Sequence, residues 1–168
     1  LYTANGVYYQ SPFYRELRDL YGIVHTDVKA QKSVHFTVGS ELILRAWGRD
    51  FRFVTDVYYK LLDDLIPYEV DNVRIRYHAD NSAKGYAAGV EFRIHGEFVE
   101  DAESWITLSL LKTEEDIMGD YYYDYYGISG DKVNPYVVGW SEVSDSVRVE
   151  PGYIPRPTDQ RLNFGMFF

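Results

Sequence analysis

Strict alternation of apolar and polar residues recurs along this chain, and it commits each stretch to an extended strand with two chemically different faces. From Ser33 to Trp47, Val34, Phe36, Val38, Leu42, Leu44 and Ala46 share one face. Ser33, His35, Thr37, Gly39, Glu41 and Arg45 share the other. Gly48-Arg49-Asp50 reads as a tight turn. The next run groups Phe51, Phe53, Thr55, Val57, Tyr59 and Leu61 against Arg52, Asp56 and Lys60, with Val54 and Tyr58 among the latter. A third strand, over about 83–99, sets Tyr86, Ala88, Val90, Phe92, Ile94 and Phe98 against Gly85, Gly89, Glu91, Arg93, His95 and Glu97. Glu100-Asp101-Ala102 is a second short turn. Ile106, Leu108 and Leu110 then alternate with Trp105, Thr107 and Ser109. A fifth strand begins near Arg161, where Leu162, Phe164, Met166 and Phe168 alternate with Asn163 and Gly165; a partial strand precedes Gln10.

The connections alternate in size. Segments 11–30, 67–82 and about 117–157 are long and polar, whereas the turns between the other strands are short. All six prolines fall in the long segments or at their edges and interrupt no expected strand. Short turns on one rim and long loops on the other are what a transmembrane β-barrel produces. Its apolar face meets lipid, its polar face meets the lumen, and one rim carries the binding loops. The predicted class is therefore all-β, an antiparallel barrel segment of about five or six strands. Lys112 and Glu114 lie on the lipid parity and must sit at the outer interface or snorkel. A soluble β-sandwich also alternates, but its strands average about 5–6 residues, shorter than these.

Composition narrows the classes further. The 168 residues suffice for one domain. A net charge of −9 argues against a nucleic-acid binder, which needs a basic stripe. No stretch reaches the roughly 18 apolar residues of a transmembrane helix. Cysteine is absent, so disulfides and thiolate metal sites are excluded. The chain opens strand-like at Leu1-Tyr2-Thr3-Ala4 and closes in Phe167-Phe168 without a turn, which reads as a piece of a longer protein.

Several segments carry a family resemblance. Tyr8-Tyr9-Gln10-Ser11-Pro12-Phe13-Tyr14-Arg15-Glu16-Leu17 looks like a strand end and its outer loop. Val28 to Ser33 is similar to a strand opening that often reads Leu-Lys-Pro-Glu-x-Ser, with Val28, Ala30 and Gln31 replacing leucine, proline and glutamate. Ala83 to Glu91 resembles a small-residue strand ending in Gly-x-Glu, and Pro157 to Asn163 resembles the entry to a later strand. In order and spacing, these segments resemble the late barrel strands of TonB-dependent outer-membrane receptors, over nearly the whole chain. The resemblance implies a barrel of about 22 strands, filled by an N-terminal plug. It further implies a bacterial outer-membrane location and import of a large, scarce solute energised through TonB. The partners would be outer-membrane lipid, the rest of the barrel and plug, TonB, and the imported ligand. Iron chelate, glycan, peptide and cobalamin all remain open as ligands, and a passive porin or soluble binding module are the other functional classes.

Tyr121, Tyr122, Tyr123, Tyr125 and Tyr126 form the densest aromatic cluster and are the expected ligand surface, because rigid rings with polar tips give contact at low entropic cost. Packing against neighbouring loops is the other role open to them. Glu41, Arg45, Arg52, Asp56, Lys60, Glu91, Arg93 and Glu97 have the lumen parity, and their mixed sign suits an interior touching water or a polar plug. His25, His35, His78 and His95 lack metal-ligand spacing. The acids Glu114, Glu115, Asp116, Asp120, Asp124 and Asp131 lack EF-hand spacing and read as a solvated loop. No nucleophile elbow, phosphate loop or zinc-protease motif occurs. The expectation is a binding and transport segment without catalysis, metal or cofactor.

Overall fold

Alternating strands become a sheet with two distinct faces only if neighbouring registers agree, since a one-residue slip moves every side chain across. The computed structural model describes residues 1–168 and shows that agreement. In chain order the strands are β1 (Tyr2–Gln10), β2 (Gln31–Ala46), β3 (Arg49–Leu65), β4 (Tyr68–Asp71), β5 (Arg74–Tyr77), β6 (Ala83–Val99), β7 (Ala102–Ile117), β8 (Tyr122–Gly127), β9 (Lys132–Val133), β10 (Val143–Val149), β11 (Tyr153–Pro155) and β12 (Leu162–Phe167). One helical turn, α1 (Pro135–Val138), lies between β9 and β10.

The main sheet is antiparallel, in the order β1-β2-β3-β6-β7, with β11 and β12 both along the far edge of β7. It is open, with β1 at one edge and β11 and β12 at the other. Val38, Val57, Val90, Leu110 and Leu162 form one row across five strands. Leu42, Phe53, Ile94, Ile106 and Met166 form another on the same face. Glu41, Val54, Arg93 and Thr107 make a row on the opposite face. No second sheet covers the apolar face: Val38, Leu42, Val57, Leu110 and Phe164 are all exposed. Only 15 of 168 residues are buried, so this sheet has no sandwich core.

Aromatic rings bound the apolar face at both ends. Near the short turns, Trp47, Phe51, Phe98 and Phe168 are in successive contact, with centroids 5.8, 5.0 and 6.0 Å apart. Near the long connections, Tyr59, Tyr86 and Tyr153 follow one another at 5.9 and 5.6 Å. Lys112 and Glu114 fall in this second row, opposite Ala88 and Tyr86. They pair with each other at 2.9 Å, and the Tyr86 hydroxyl also donates to Glu114. Phe51 lies over Gly96, where a Cβ would come within 2.6 Å of the ring; the missing side chain admits this close approach.

The turns differ in detail from their expected limits. The β2–β3 turn is Trp47-Gly48, with φ of 51° and 77°, as a two-residue hairpin of the twist-compatible type requires. Arg49 and Asp50 are already in β3, paired with Ala46 and Arg45. The β6–β7 turn is Glu100-Asp101, and Ala102 starts β7. One extra residue in β6 between Gly96 and Val99 makes a bulge. A further short strand, β11, precedes β12 on the same edge, within the segment expected to be a loop. Between them Leu111 N–H donates to Arg161 O, while Thr113 N–H turns to the Asp159 carboxylate at 2.9 Å. Pro155 is thus in a strand, at an edge where its missing donor is tolerated.

The long connections are structured rather than open loops. Segment 67–82 contains the β4–β5 hairpin, and 117–157 contains a three-stranded sheet in the order β10-β8-β9. Segment 11–30 makes a small bridge between Arg18 and Val24. Asn81 ties two of them to the main sheet. Its amide donates to Lys29 O at 3.1 Å and Asp64 O at 2.8 Å, and its carbonyl accepts from Lys29 N–H at 2.7 Å. The buried apolar residues gather mainly here: Leu65, Ile66, Pro67, Tyr77, Ala79 and Ala83.

Gly48→Val tests the turn. No atom lies within 4 Å of a Cβ at this position, so the cost is backbone strain alone. A β-branched residue at this positive φ should lower stability by about 1–2 kcal/mol, read as a fall in the urea midpoint.

Candidate functional site

The polar face of the main sheet carries the charges singled out from sequence. Glu41 and Arg52 are paired at 2.7 Å, and the Tyr2 hydroxyl donates to Asp56. Asp56 stands directly opposite Glu91. Lys60 lies 5.0 Å from the centroid of the Tyr58 ring. Arg45, Glu91 and Arg93 have no oppositely charged partner within 4.0 Å. Glu97 departs from this group: it lies in the β6 bulge and approaches Arg49 at 3.9 Å, at the short-turn rim.

At the other end of the same face, the strands and the connections folded over them line a solvent-open cavity of about 690 Å³. One wall is the top of the β1–β2 pair, where Tyr8, Gln10, Gln31, Ser33 and His35 all have the polar parity. The Tyr8 and His35 rings are 4.5 Å apart. Tyr68 and Tyr77 of the β4–β5 hairpin, Glu16 of segment 11–30 and Arg156 also line it, as do Tyr9 and Lys32 from the opposite parity of the same strand pair, with Leu65 and Ile66 as an apolar base. Glu16 is buried, and one of its oxygens accepts from Phe13 N–H at 2.8 Å. Arg156 Nε is 2.9 Å from the buried Glu115 carboxylate. Burial raises the Tyr77 phenol above its ordinary value. Ser33 Oγ is shielded from solvent and has no hydrogen-bond partner.

These residues were not legible as a site. Parity places Ser33 and His35 on the polar face, but only the pairing of β1 with β2 sets Gln10 across from Gln31. The return of segment 67–82 as a hairpin brings Tyr68 and Tyr77 over them. A turn signal at Asn72, which has φ of 58°, was present in the sequence. Nothing local marks Glu16 or Arg156.

The tyrosine cluster is divided. In β8, Tyr123 and Tyr125 pair with Arg148 and Ser146, whereas Tyr122 and Tyr126 pair with Val149 and Asp145 on the other face. Tyr121, Tyr123 and Tyr125 are linked by ring contacts of 5.7 and 6.3 Å, and Tyr125 meets Trp140 edge-on at 5.2 Å. The Arg148 guanidinium caps the Tyr121 ring at 4.2 Å. No one surface contains all five rings. Asp124 sits between them and pairs with Lys132 at 2.7 Å, a bond that holds the ammonium proton more tightly than usual.

The acids expected to form a solvated stretch are separated by strand parity. Glu114 meets Lys112, Glu115 points inward to Arg156, and Asp116 meets Lys84 at 3.4 Å. No three His, Cys, Asp or Glu side chains converge as a metal-ligand set. His25, His78 and His95 each approach one carboxylate, Asp19, Glu69 and Glu103 respectively. Comparison with protein-family models, curated proteins and solved structures finds no match.

Two outcomes are expected. A double-mutant cycle of Tyr125→Ala and Trp140→Ala should return a coupling of about 0.5–1.5 kcal/mol, whereas Tyr126→Ala, on the opposite face, should show none with Trp140. The second concerns Asp19, whose carboxylate accepts from His25 and from the Tyr21 and Ile23 amides. The His25 bond, with the two amides, lowers its folded-state pKa. This stabilisation is therefore present above the ordinary aspartate range and is lost as pH falls through the lower folded value. Amide shifts of Tyr21 and Ile23 should stay native until the pH is below the ordinary aspartate range, and Asp19→Asn should remove that transition.

Proposed function

We propose that this chain is a barrel segment of an outer-membrane active-transport receptor that binds and imports a large solute with energy delivered through TonB. The observation that carries the membrane reading is the uncovered apolar face between two aromatic rows. From Phe51 to Leu61, which pairs with Tyr86, β3 advances about 33 Å at a rise of about 3.3 Å per residue. Tilted by about 40°, that span covers about 25 Å along the membrane normal, the height of the apolar band in such barrels. Aromatic girdles at both interfaces are part of the same pattern.

The long strands fit this reading. β2, β3, β6 and β7 have 16 or 17 residues, more than the roughly 9–11 needed to cross lipid. The excess carries the structured connections beyond the membrane surface. A sheet edge cannot face hydrocarbon, so β1 and the β11–β12 edge would be continued by other strands of a closed wall. The unpaired Arg45, Glu91 and Arg93 require water or a polar filling on the inner side. The resemblance to TonB-dependent receptors favours active import over a passive pore, and connections folded against the sheet suit a binding rim.

Val38→Arg and Val90→Arg in the full-length protein should each impair assembly by about 2–4 kcal/mol, because they place a cation at mid-membrane. Thr37→Arg, on the polar face, should assemble, as judged by heat-modifiable gel mobility. Equal behaviour of all three would discard the assigned faces, and solubility without detergent would favour a sandwich. An impermeant thiol reagent on intact cells should label Asp131→Cys and spare Arg49→Cys. A protonophore should stop uptake; uptake that persists would identify a porin.

A further inference from the structure

The cavity between the β1–β2 tops and the β4–β5 hairpin has the chemistry of a site for a neutral, hydroxyl-rich ligand. Its volume of about 690 Å³ lies within the range of about 300–1,000 Å³ common to ligand sites. Its base is the buried cluster of the molecule, Leu65 and Ile66, so the walls are held by packing and by the Asn81 bonds. Rigidity of this kind lowers the cost of ordering a site on binding.

The walls offer donors and acceptors together. Gln10 and Gln31, opposite one another, each present an amide with both functions. Ser33 and the tyrosine hydroxyls also do both, and Glu16 accepts. The charges do not select an anion. Arg156 is neutralised by Glu115, Lys32 is paired with Asp63 at 3.4 Å, and Glu16 adds a carboxylate with no cation within 4.0 Å. A purely cationic ligand fits poorly as well, because it would leave the donors of Gln10, Gln31 and Ser33 unmatched. Vicinal hydroxyls, each donor and acceptor, match this wall, and an exposed ring such as Tyr8 can cover the C–H face of a sugar ring.

Ser33 Oγ supplies an independent indication. Ser33 lines the cavity and its Oγ has no partner within the protein, so rotation of the side chain toward the cavity would let it meet a ligand hydroxyl at the loss of no existing hydrogen bond. We infer that this cavity binds a short neutral oligosaccharide, held by Gln10, Gln31 and Ser33 and stacked against Tyr8. The inference names a ligand class for the proposed receptor, but the site itself does not depend on TonB or on import.

The test is a titration of the full-length protein, folded in detergent, by calorimetry. The probes are a panel of neutral di-, tri- and tetrasaccharides, an oligogalacturonate as the anionic counterpart, and choline as a compact cation. The expected result is saturable binding of at least one neutral saccharide, with neither charged probe competing. Tyr8→Ala and Gln31→Ala should each weaken it by about fivefold to tenfold, as the loss of one contact implies. Ser33→Ala should weaken binding without lowering the urea midpoint, because no existing hydrogen bond is lost. Binding of no neutral saccharide, preference for either charged probe, or affinity lost in Tyr123→Ala but kept in Tyr8→Ala and Gln31→Ala would each overturn the inference. Because binding is measured without uptake, its failure is separable from a failure of the membrane-assembly and protonophore tests.

Discussion

Hydrogen bonding between long antiparallel strands, more than side-chain burial, orders this molecule. Of 93 backbone–backbone hydrogen bonds, 76 lie within its regular elements, while few residues are buried. A ladder of this length sets the register, and the register decides which environment each side chain meets. The apolar rows, the aromatic borders and the charged face all follow from the pairing of β2, β3, β6 and β7. Bulges at Gly96–Val99 and Leu62–Leu65 interrupt that pairing only near the ends, where the chain must leave the sheet.

The long-connection end obeys different physics. There the main-sheet ladder ends, and side chains join two small separate ladders in meeting the backbone groups. Asn81 serves three main-chain groups, and Asp159 accepts the Thr113 N–H where the edge strand loops away. The Arg156–Glu115 pair places two charges at low exposure, and removal of Arg156 would leave a buried carboxylate without compensation. These contacts hold the hairpin and segment 11–30 against the sheet, and the cavity is a consequence of that docking. A rigid wall with folded connections on one rim is a common way for proteins to combine a stable scaffold with a variable binding surface.

The two faces give the proposed receptor its separation of tasks. The apolar face suits contact with lipid, whereas the opposite face keeps cations and carboxylates, several of them unpaired. Such charges are tolerable beside water and expensive in hydrocarbon. The tyrosines of β8 belong to a separate small sheet and spend much of their ring surface on one another, on Trp140 and on Arg148. The cavity beside the β1–β2 tops draws its tyrosine rings from β1 and the β4–β5 hairpin instead.

Period-two alternation alone determined the all-β class, the antiparallel neighbours joined by short turns, and the faces of the residues in the alternating runs 34–46, 51–61, 85–95 and 105–110. Side-chain direction in a strand follows from backbone geometry and needs no knowledge of distant contacts. The turn limits were less legible, because Trp47 adopts a positive φ that its residue type disfavours and the hairpin geometry demands. Tertiary structure decided what the long segments do. Their folding into a hairpin and a second sheet depends on weak local patterns, stabilised by contacts distant in sequence. It divided the five tyrosines, drew Glu115 to Arg156, and assembled Gln10, Gln31, Ser33 and Tyr77 around one cavity. Those residues lie up to 67 positions apart, and no local spacing encodes a meeting that only chain docking produces.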